Sequence, residues 1–407
     1  MTVERTSPLH IFLIFLRLGL TSFGGPVAHL GYFREAFVQR RQWLSDTQYA
    51  DLVALCQVLP GPASSQVGMA LGLNRGGYPG LLAAWLGFTL PSALALMLAA
   101  VGLARLESDL IAGAVGGLKL VAVVIVAQAV IGMCRNLIRT RRQWLVMSAS
   151  LLLMLSLSGV WSQLLVILLG ALVGAVGRGR GAAPSGDGSR ASMLPGAGVT
   201  ARQGRFWLLL FGAGLVLLPW LAQTEASGLA VLIDGLYRSG ALVFGGGHVV
   251  LPLLQNEVVL QGLVDESRFL AGYGLAQAVP GPLFTLASYL GSASAVGSAS
   301  VAVSLLVGLA ATLAIFLPAF LLLVGVLPFW ERLRAHPLIY AALGGINAAV
   351  VGLLAAALWN PVITSAVHGP ADLLLVALLA GLMRLKLPVV ALVLCGAGGG
   401  VLLSLFG

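Results

Sequence analysis

The same helix-breaking landmarks occur twice in this chain, in the same order and at nearly the same spacing. Phe23-Gly24-Gly25 is answered by Phe244-Gly245-Gly246, and Gln57-Val58-Leu59-Pro60-Gly61-Pro62 by Gln277-Ala278-Val279-Pro280-Gly281-Pro282. From the phenylalanine to the first proline of Pro-Gly-Pro is 37 residues in one half and 36 in the other. Further on, FTLPS (88–92) faces IFLPA (315–319), and AVGGLKL (114–120) faces ALGGINA (342–348). Four landmarks in one order mean an internal duplication, so both halves must fold to the same plan.

The landmarks lie inside apolar runs of about 17–25 residues, the length of helix that crosses a bilayer. Of the 407 residues 59% are hydrophobic and 9% charged, against roughly 25% charged in a soluble domain. An ordinary globular protein is excluded, and the expected class is an all-α polytopic membrane protein. Glu4 and Arg5 precede a long span and no small-residue cleavage site follows, so no signal peptide is expected. The net charge of +9 comes mostly from arginines in loops, where it reports topology and not a nucleic-acid partner. Cys56, Cys134 and Cys395 are scattered, with no CxxC and no histidine pair, so neither a disulfide framework nor a metal site is implied.

One polar stretch divides the chain. Residues 178–205 are rich in Gly, Ser, Ala and Pro, with five arginines against one aspartate, the composition of a flexible cytoplasmic linker. The expected organisation is a first repeat over 1–177, the linker, an extra crossing at 206–222 and a second repeat over 223–407. Arg135, Arg139, Arg141 and Arg142 mark a cytoplasmic loop, which places the turn of the 144–177 hairpin, near Trp161-Ser162-Gln163, outside. The corresponding hairpin at 371–406 carries Arg384 and Lys386 at its turn, which is therefore inside. The halves are thus expected in inverted topology, as in many secondary transporters, with about 13 spans and the N-terminus inside. Arg34, Arg40 and Arg41 then fall outside, against the charge rule.

A glycine inside a span costs about 1 kcal/mol and a proline about 3 relative to alanine, and in lipid the freed backbone groups must find partners. Glycines that permit close packing and prolines that merely kink are the plain explanation. Two motifs repeated in register favour another: broken helices whose N-terminal N–H groups line an anion site. Arg17 and Arg238 each lie six residues before the phenylalanine of their motif, and Lys119 sits in the middle of an apolar segment. A cation there is expensive, and arginine's planar fork suits a tetrahedral oxyanion; snorkelling towards an interface is the alternative. Asp234, one turn before Arg238, is a candidate partner for it. The candidate binding set is Arg17, Gly24, Gly25, Gln57, Pro60, Gly61, Lys119, Arg238, Gly245, Gly246, Gln277, Pro280 and Gly281. Ser64, Ser65 and Thr285 add hydroxyls beyond the prolines. His29, His248 and Glu257 are candidates for proton coupling, although Glu257 also reads as interfacial. No GxxxxGK[ST], HExxH or GxSxG motif is present, so no ATPase and no enzyme with a nameable nucleophile is indicated.

The runs FGGPVAHLGYFREAFVQRRQWL with CQVLPGPASSQ, and FGGGHVVLPLLQNEVV with LAQAVPGPL, resemble the chromate ion transporters, in the form of a long two-domain member. The resemblance covers nearly the whole chain outside the linker. It implies export of chromate across a bacterial inner membrane, with sulfate as isosteric competitor, no cofactor and no catalysis; a homodimer is left open. By position the family's motif residues are Phe23, Gly24, Gly25, Pro60, Gly61 and Pro62, then Phe244, Gly245, Gly246, Glu257, Pro280, Gly281 and Pro282. Trp43-Leu44 fits the pattern, whereas Val264-Asp265 stands at that offset in the second half. Residue chemistry alone reaches "oxyanion"; a sulfate importer of the same fold and a membrane-embedded enzyme or assembly subunit are the rival readings.

Overall fold

The computed structural model describes residues 5–23, 25–103, 109–157, 160–176, 194, 198–225, 228–244, 249–296, 300–334, 337–385 and 387–406. The regular elements among them are helical. The first half runs α1 (Pro8–Thr21), α2 (Gly25–Phe33), a π-helical segment (Arg34–Arg40), α3 (Asp46–Val58), α4 (Ala63–Leu103), α5 (Asp109–Leu137), α6 (Arg141–Ser156) and α7 (Val160–Val176). After α8 (Ala201–Glu225) the same series begins again: α9 (Gly228–Leu242), α10 (Val250–Leu254), a second π-helical segment (Gln255–Val259) and α11 (Glu266–Ala278). It continues as α12 (Leu286–Ala295), α13 (Val301–Val326), the short α14 (Trp330–Arg334), α15 (Pro337–Ala357), α16 (Pro370–Arg384) and α17 (Val389–Phe406). α4 is itself two helices, because Gly77 adopts φ 62° and ψ −156° within it; α12 and α13 are its counterparts.

Local chemistry sets many of these boundaries. Ser45 caps α3 through the backbone N–H of Gln48, and Asp265 caps α11 at the equivalent place through that of Arg268. Thr140 and Gln143 form a reciprocal capping box at α6. Thr200 and Gln203 pair in the same way, which starts α8 at Ala201, inside the stretch whose composition reads as linker. Among the described residues five helices are long and apolar enough to cross a membrane: Ala63–Leu103, Leu110–Leu137, Ala201–Thr224, Val301–Leu333 and Ala341–Ile363. Pro8–Thr21, Leu165–Val176 and Val389–Leu405 are shorter apolar helices.

The two halves interlock. α5 packs on α17, and α15 packs on α7 and α6, so these two equivalent helices are each clasped by terminal helices of the other half. Glycine makes both clasps. A Cβ on Gly117 of α5 would overlap the Gly396 carbonyl oxygen of α17, and one on Gly345 of α15 would overlap that of Gly170 in α7. Hydrocarbon gives helices no hydrophobic reason to associate, so backbone approach across small residues supplies the attraction. The cores cross the halves as well. One joins α9–α13 to Leu118–Val126 of α5, and the other joins α1–α4 to Ala319, Leu323 and Val324 of α13.

Candidate functional site

α1 ends at Ser22, whose own N–H still reaches the Leu18 carbonyl at 2.8 Å. The carbonyl of Ser22 has no next turn to donate to it, and the Gly281 N–H of the second half's Pro-Gly-Pro donates to it at 3.0 Å. The reciprocal bond joins the Gly61 N–H to the Val243 carbonyl at 2.7 Å, at the end of α9. Each break is therefore closed by the proline turn of the other half. Both glycines are required: Gly61 has φ 117° and Gly281 φ 110°, and added Cβ atoms would lie 2.9 Å from Ala319 Cβ and 2.7 Å from Ser92 Oγ. The expectation that the breaks leave N–H donors bare for an anion does not describe these two residues, because unpaired carbonyls in a dry core claim them first.

A polar cluster surrounds the first of these crossings. His29 is buried, with Nε2 3.2 Å from the Ser22 carbonyl and Nδ1 3.4 Å from Ser64 Oγ. A carbonyl only accepts, so Nε2 carries the hydrogen; in the neutral ring Nδ1 then accepts from the Ser64 hydroxyl, and in the protonated ring it donates to it. Ser92 Oγ, beside Gly281, donates to the Thr89 carbonyl at 3.1 Å, and at the other crossing Gln66 Nε2 donates to the carbonyl of Pro60, next to Gly61, at 2.9 Å. Ser22, Gln66, Thr89 and Ser92 escape sequence reasoning because single hydroxyls and amides in apolar runs carry no spacing signal. Gly25 opens α2 with φ 78° and has open space where a side chain would point. Gly24, Gly245, Gly246 and His248 lie outside the described residues.

The three cations have different surroundings. Lys119 Nζ donates to Ser267 Oγ on α11 at 2.6 Å. Arg238 Nη2 meets both Asp234 Oδ2 at 2.9 Å and Glu257 Oε2 at 2.8 Å, and both carboxylates are buried. Glu257 is thus buried within the protein as a partner of Arg238. Arg17 makes no side-chain ion pair or hydrogen bond with any described residue. It lines a cleft of about 430 Å³ with Ile14, Leu18, Thr21, Tyr32, Glu35, Ala36, Arg40 and Arg41. Glu35 pairs with Arg40, and Arg41 donates to the Ala36 carbonyl at 3.2 Å. Three arginines against one glutamate leave the cleft with two positive charges, beside the Ser22 crossing. Arg40 and Arg41, which the charge rule leaves as an anomaly, line this cleft.

The remaining candidates divide between exposed and turn positions. Gln57 is exposed on α3, Gln277 is half-buried on α11 beside Tyr273, and Pro60 and Pro280 are half-buried in the turns. Among the described residues no group of three or more His, Cys, Asp or Glu side chains is placed to hold a metal ion.

Comparison with known proteins places this architecture. The chromate transporter family model matches the chain in two segments, residues 9–175 and 230–401, one in each half. The chromate transport protein of Pseudomonas aeruginosa is 29% identical over 353 residues, covering 85% of this chain and 79% of that protein. A probable chromate transport protein of Synechococcus elongatus is 29% identical over 357 residues, covering 84% and 81%. The chromate transport protein of Cupriavidus metallidurans is 27% identical over 405 residues, covering 92% and 88%. No solved structure matches. With both halves matched by one family and relatives aligned along most of its length, the chain belongs to the chromate transporter family of membrane proteins.

Proposed function

We propose that this protein exports chromate from the cytoplasm across the plasma membrane as a secondary transporter, and so confers chromate resistance. The observation that carries the reading is the Arg17 cleft: an arginine with no ion pair to a described residue, two further arginines beside it, and the Tyr32 side chain on the same walls. A guanidinium offers paired donors that match two oxygens of a tetrahedral oxyanion. Unit charges about 4 Å apart attract by about 4 kcal/mol at an effective dielectric of about 20, which offsets part of the anion's dehydration. Relatives named for chromate transport supply the substrate class, and sulfate is the isosteric competitor.

Direction follows from charge. Moving one charge through 100 mV is worth about 2.3 kcal/mol, so a dianion leaving a negative-inside cell gains about 4.6 kcal/mol. Export runs on membrane potential alone; where protons contribute, His29, His248 and Glu257 are the groups to carry them. The two repeats, joined by the linker that begins at residue 178 and by the crossing that α8 (Ala201–Glu225) makes, are read as inverted. On that reading about 13 spans close on the substrate from opposite sides.

The test is uptake of radiolabelled chromate into everted vesicles, with and without an uncoupler and excess sulfate. Accumulation that needs an energised membrane, and that falls at least about tenfold in Arg17→Ala at equal expression, is the expected result; tenfold corresponds to about 1.4 kcal/mol of lost binding. Uptake unchanged in Arg17→Ala removes the cleft from the path. No accumulation in wild type, with uptake in right-side-out vesicles, reverses the direction.

A further inference from the structure

A constant shift of 221 residues relates the two broken helices. It carries the last residue of α1, Thr21, to the last of α9, Leu242, and the first residue of one π-helical segment, Arg34, to the first of the other, Gln255. The same shift carries Arg17 to Arg238 and Ala36 to Glu257. Arg17 and Ala36 line one cleft, and Arg238 and Glu257 are in contact at 2.8 Å. The two halves therefore build one arrangement, an arginine facing the first turn of a π-helical segment, and differ in what faces it.

We propose that Glu257 is a built-in stand-in for the substrate: in the second half its carboxylate occupies the place that the oxyanion takes beside Arg17 in the first. The proposal rests on the functional reading of the Arg17 cleft and deepens it, because it makes anion binding one-sided. A carboxylate presents two oxygens to a guanidinium much as an oxyanion does. Room has been made for it, since a Cβ on Gly235 would lie 2.8 Å from Glu257 Cβ, and the equivalent position in the first half is Ile14 on the wall of the open cleft. Asp234 completes the closure, and its equivalent is Leu13. Arg40 and Arg41, which make the first cleft cationic, correspond to Gln261 and Gly262. At each of these places the first half favours a foreign anion and the second an internal one; Glu35, whose equivalent is Asn256, runs the other way and is taken up by Arg40. A π-helical segment at both sites fits a local distortion kept for use.

The experiment is equilibrium binding of radiolabelled sulfate and chromate to the purified full-length chain in detergent, with flux in vesicles measured in parallel. Wild type is expected to bind one oxyanion per chain. Ala36→Glu is expected to bind at least about tenfold more weakly than Ala36→Gln, which has the same bulk without the charge. Asp234→Asn combined with Glu257→Gln is expected to gain a second site per chain. Equal binding by Ala36→Glu and Ala36→Gln overturns the proposal, as does a wild-type chain that binds neither anion saturably. A monodisperse Asp234→Asn/Glu257→Gln variant that still binds one anion overturns it too; if that variant does not fold, the Ala36 pair decides alone. Binding that follows these expectations without flux in wild-type vesicles refutes the transport reading and leaves the stand-in intact. Flux in wild-type vesicles together with equal binding by Ala36→Glu and Ala36→Gln does the reverse.

Discussion

Replacing Arg238 with methionine removes a single cation that two carboxylates share, while the same replacement at Arg17 removes a cation that no described residue pairs with. The side chain of Arg238 is 21% exposed and those of Asp234 and Glu257 are 5% and 6% exposed, so little solvent is present to screen the charges left behind. Breaking a buried ion pair by deleting one partner costs about 3–5 kcal/mol, and here the two abandoned carboxylates also repel each other. Arg17→Met breaks no such pair and should stay within about 0.5 kcal/mol of wild type. At about 2 °C or more per kcal/mol for a large domain, Arg238→Met should lower the thermal midpoint by at least about 5 °C. The assay is retention of a monodisperse peak in size-exclusion chromatography after heating in detergent, at one fixed heating rate because the loss is irreversible. Adding Asp234→Asn and Glu257→Gln to Arg238→Met removes all three charges together and should restore most of the loss. If Arg17→Met falls as far as Arg238→Met, or the triple variant is no more stable than the single, the account of the charged triad is wrong.

Two further predictions concern glycines. Gly117→Ala should cost about 1–3 kcal/mol by forcing α5 off α17, whereas at its neighbour Gly116 a Cβ meets nothing within 4 Å and alanine should gain up to about 1 kcal/mol; the same heating assay compares them. Gly281→Ala should cost more than Gly25→Ala. Both demand a positive φ, worth about 1–3 kcal/mol of strain, but only at Gly281 does the new Cβ also meet Ser92 Oγ at 2.7 Å. Equal midpoints for those two variants would show that the closure of the α1 break does not depend on close approach.

The helical membrane class was legible in the apolar runs, and the duplication in the landmarks, which the two family-matched segments 9–175 and 230–401 follow. The Asp234–Arg238 pair was legible as well, because residues four apart on a helix are neighbours wherever the helix lies. Glu257 was not assignable to Arg238 by the same means. They are 19 residues apart across a helix break and a π-helical segment, and no helical period connects them. Nor did the charge of Arg40 and Arg41 in the stretch after the first span show that they share a cleft with Arg17.

What the sequence alone determined are properties that follow from local composition: which stretches can enter a bilayer, where a helix must break, and that each break exists in two copies. Only the tertiary structure decided how those breaks are used. A carbonyl freed at Ser22 or Val243 must find a donor away from water, and its nearest one, Gly281 or Gly61, belongs to the other half of the chain. Interlocking of α5 with α17 and of α15 with α7 follows from the same cause, since backbones approach closely only where glycines on both helices meet. The sequence shows two equivalent arginines; it takes packing to leave one open to a cleft and close the other with carboxylates from its own chain.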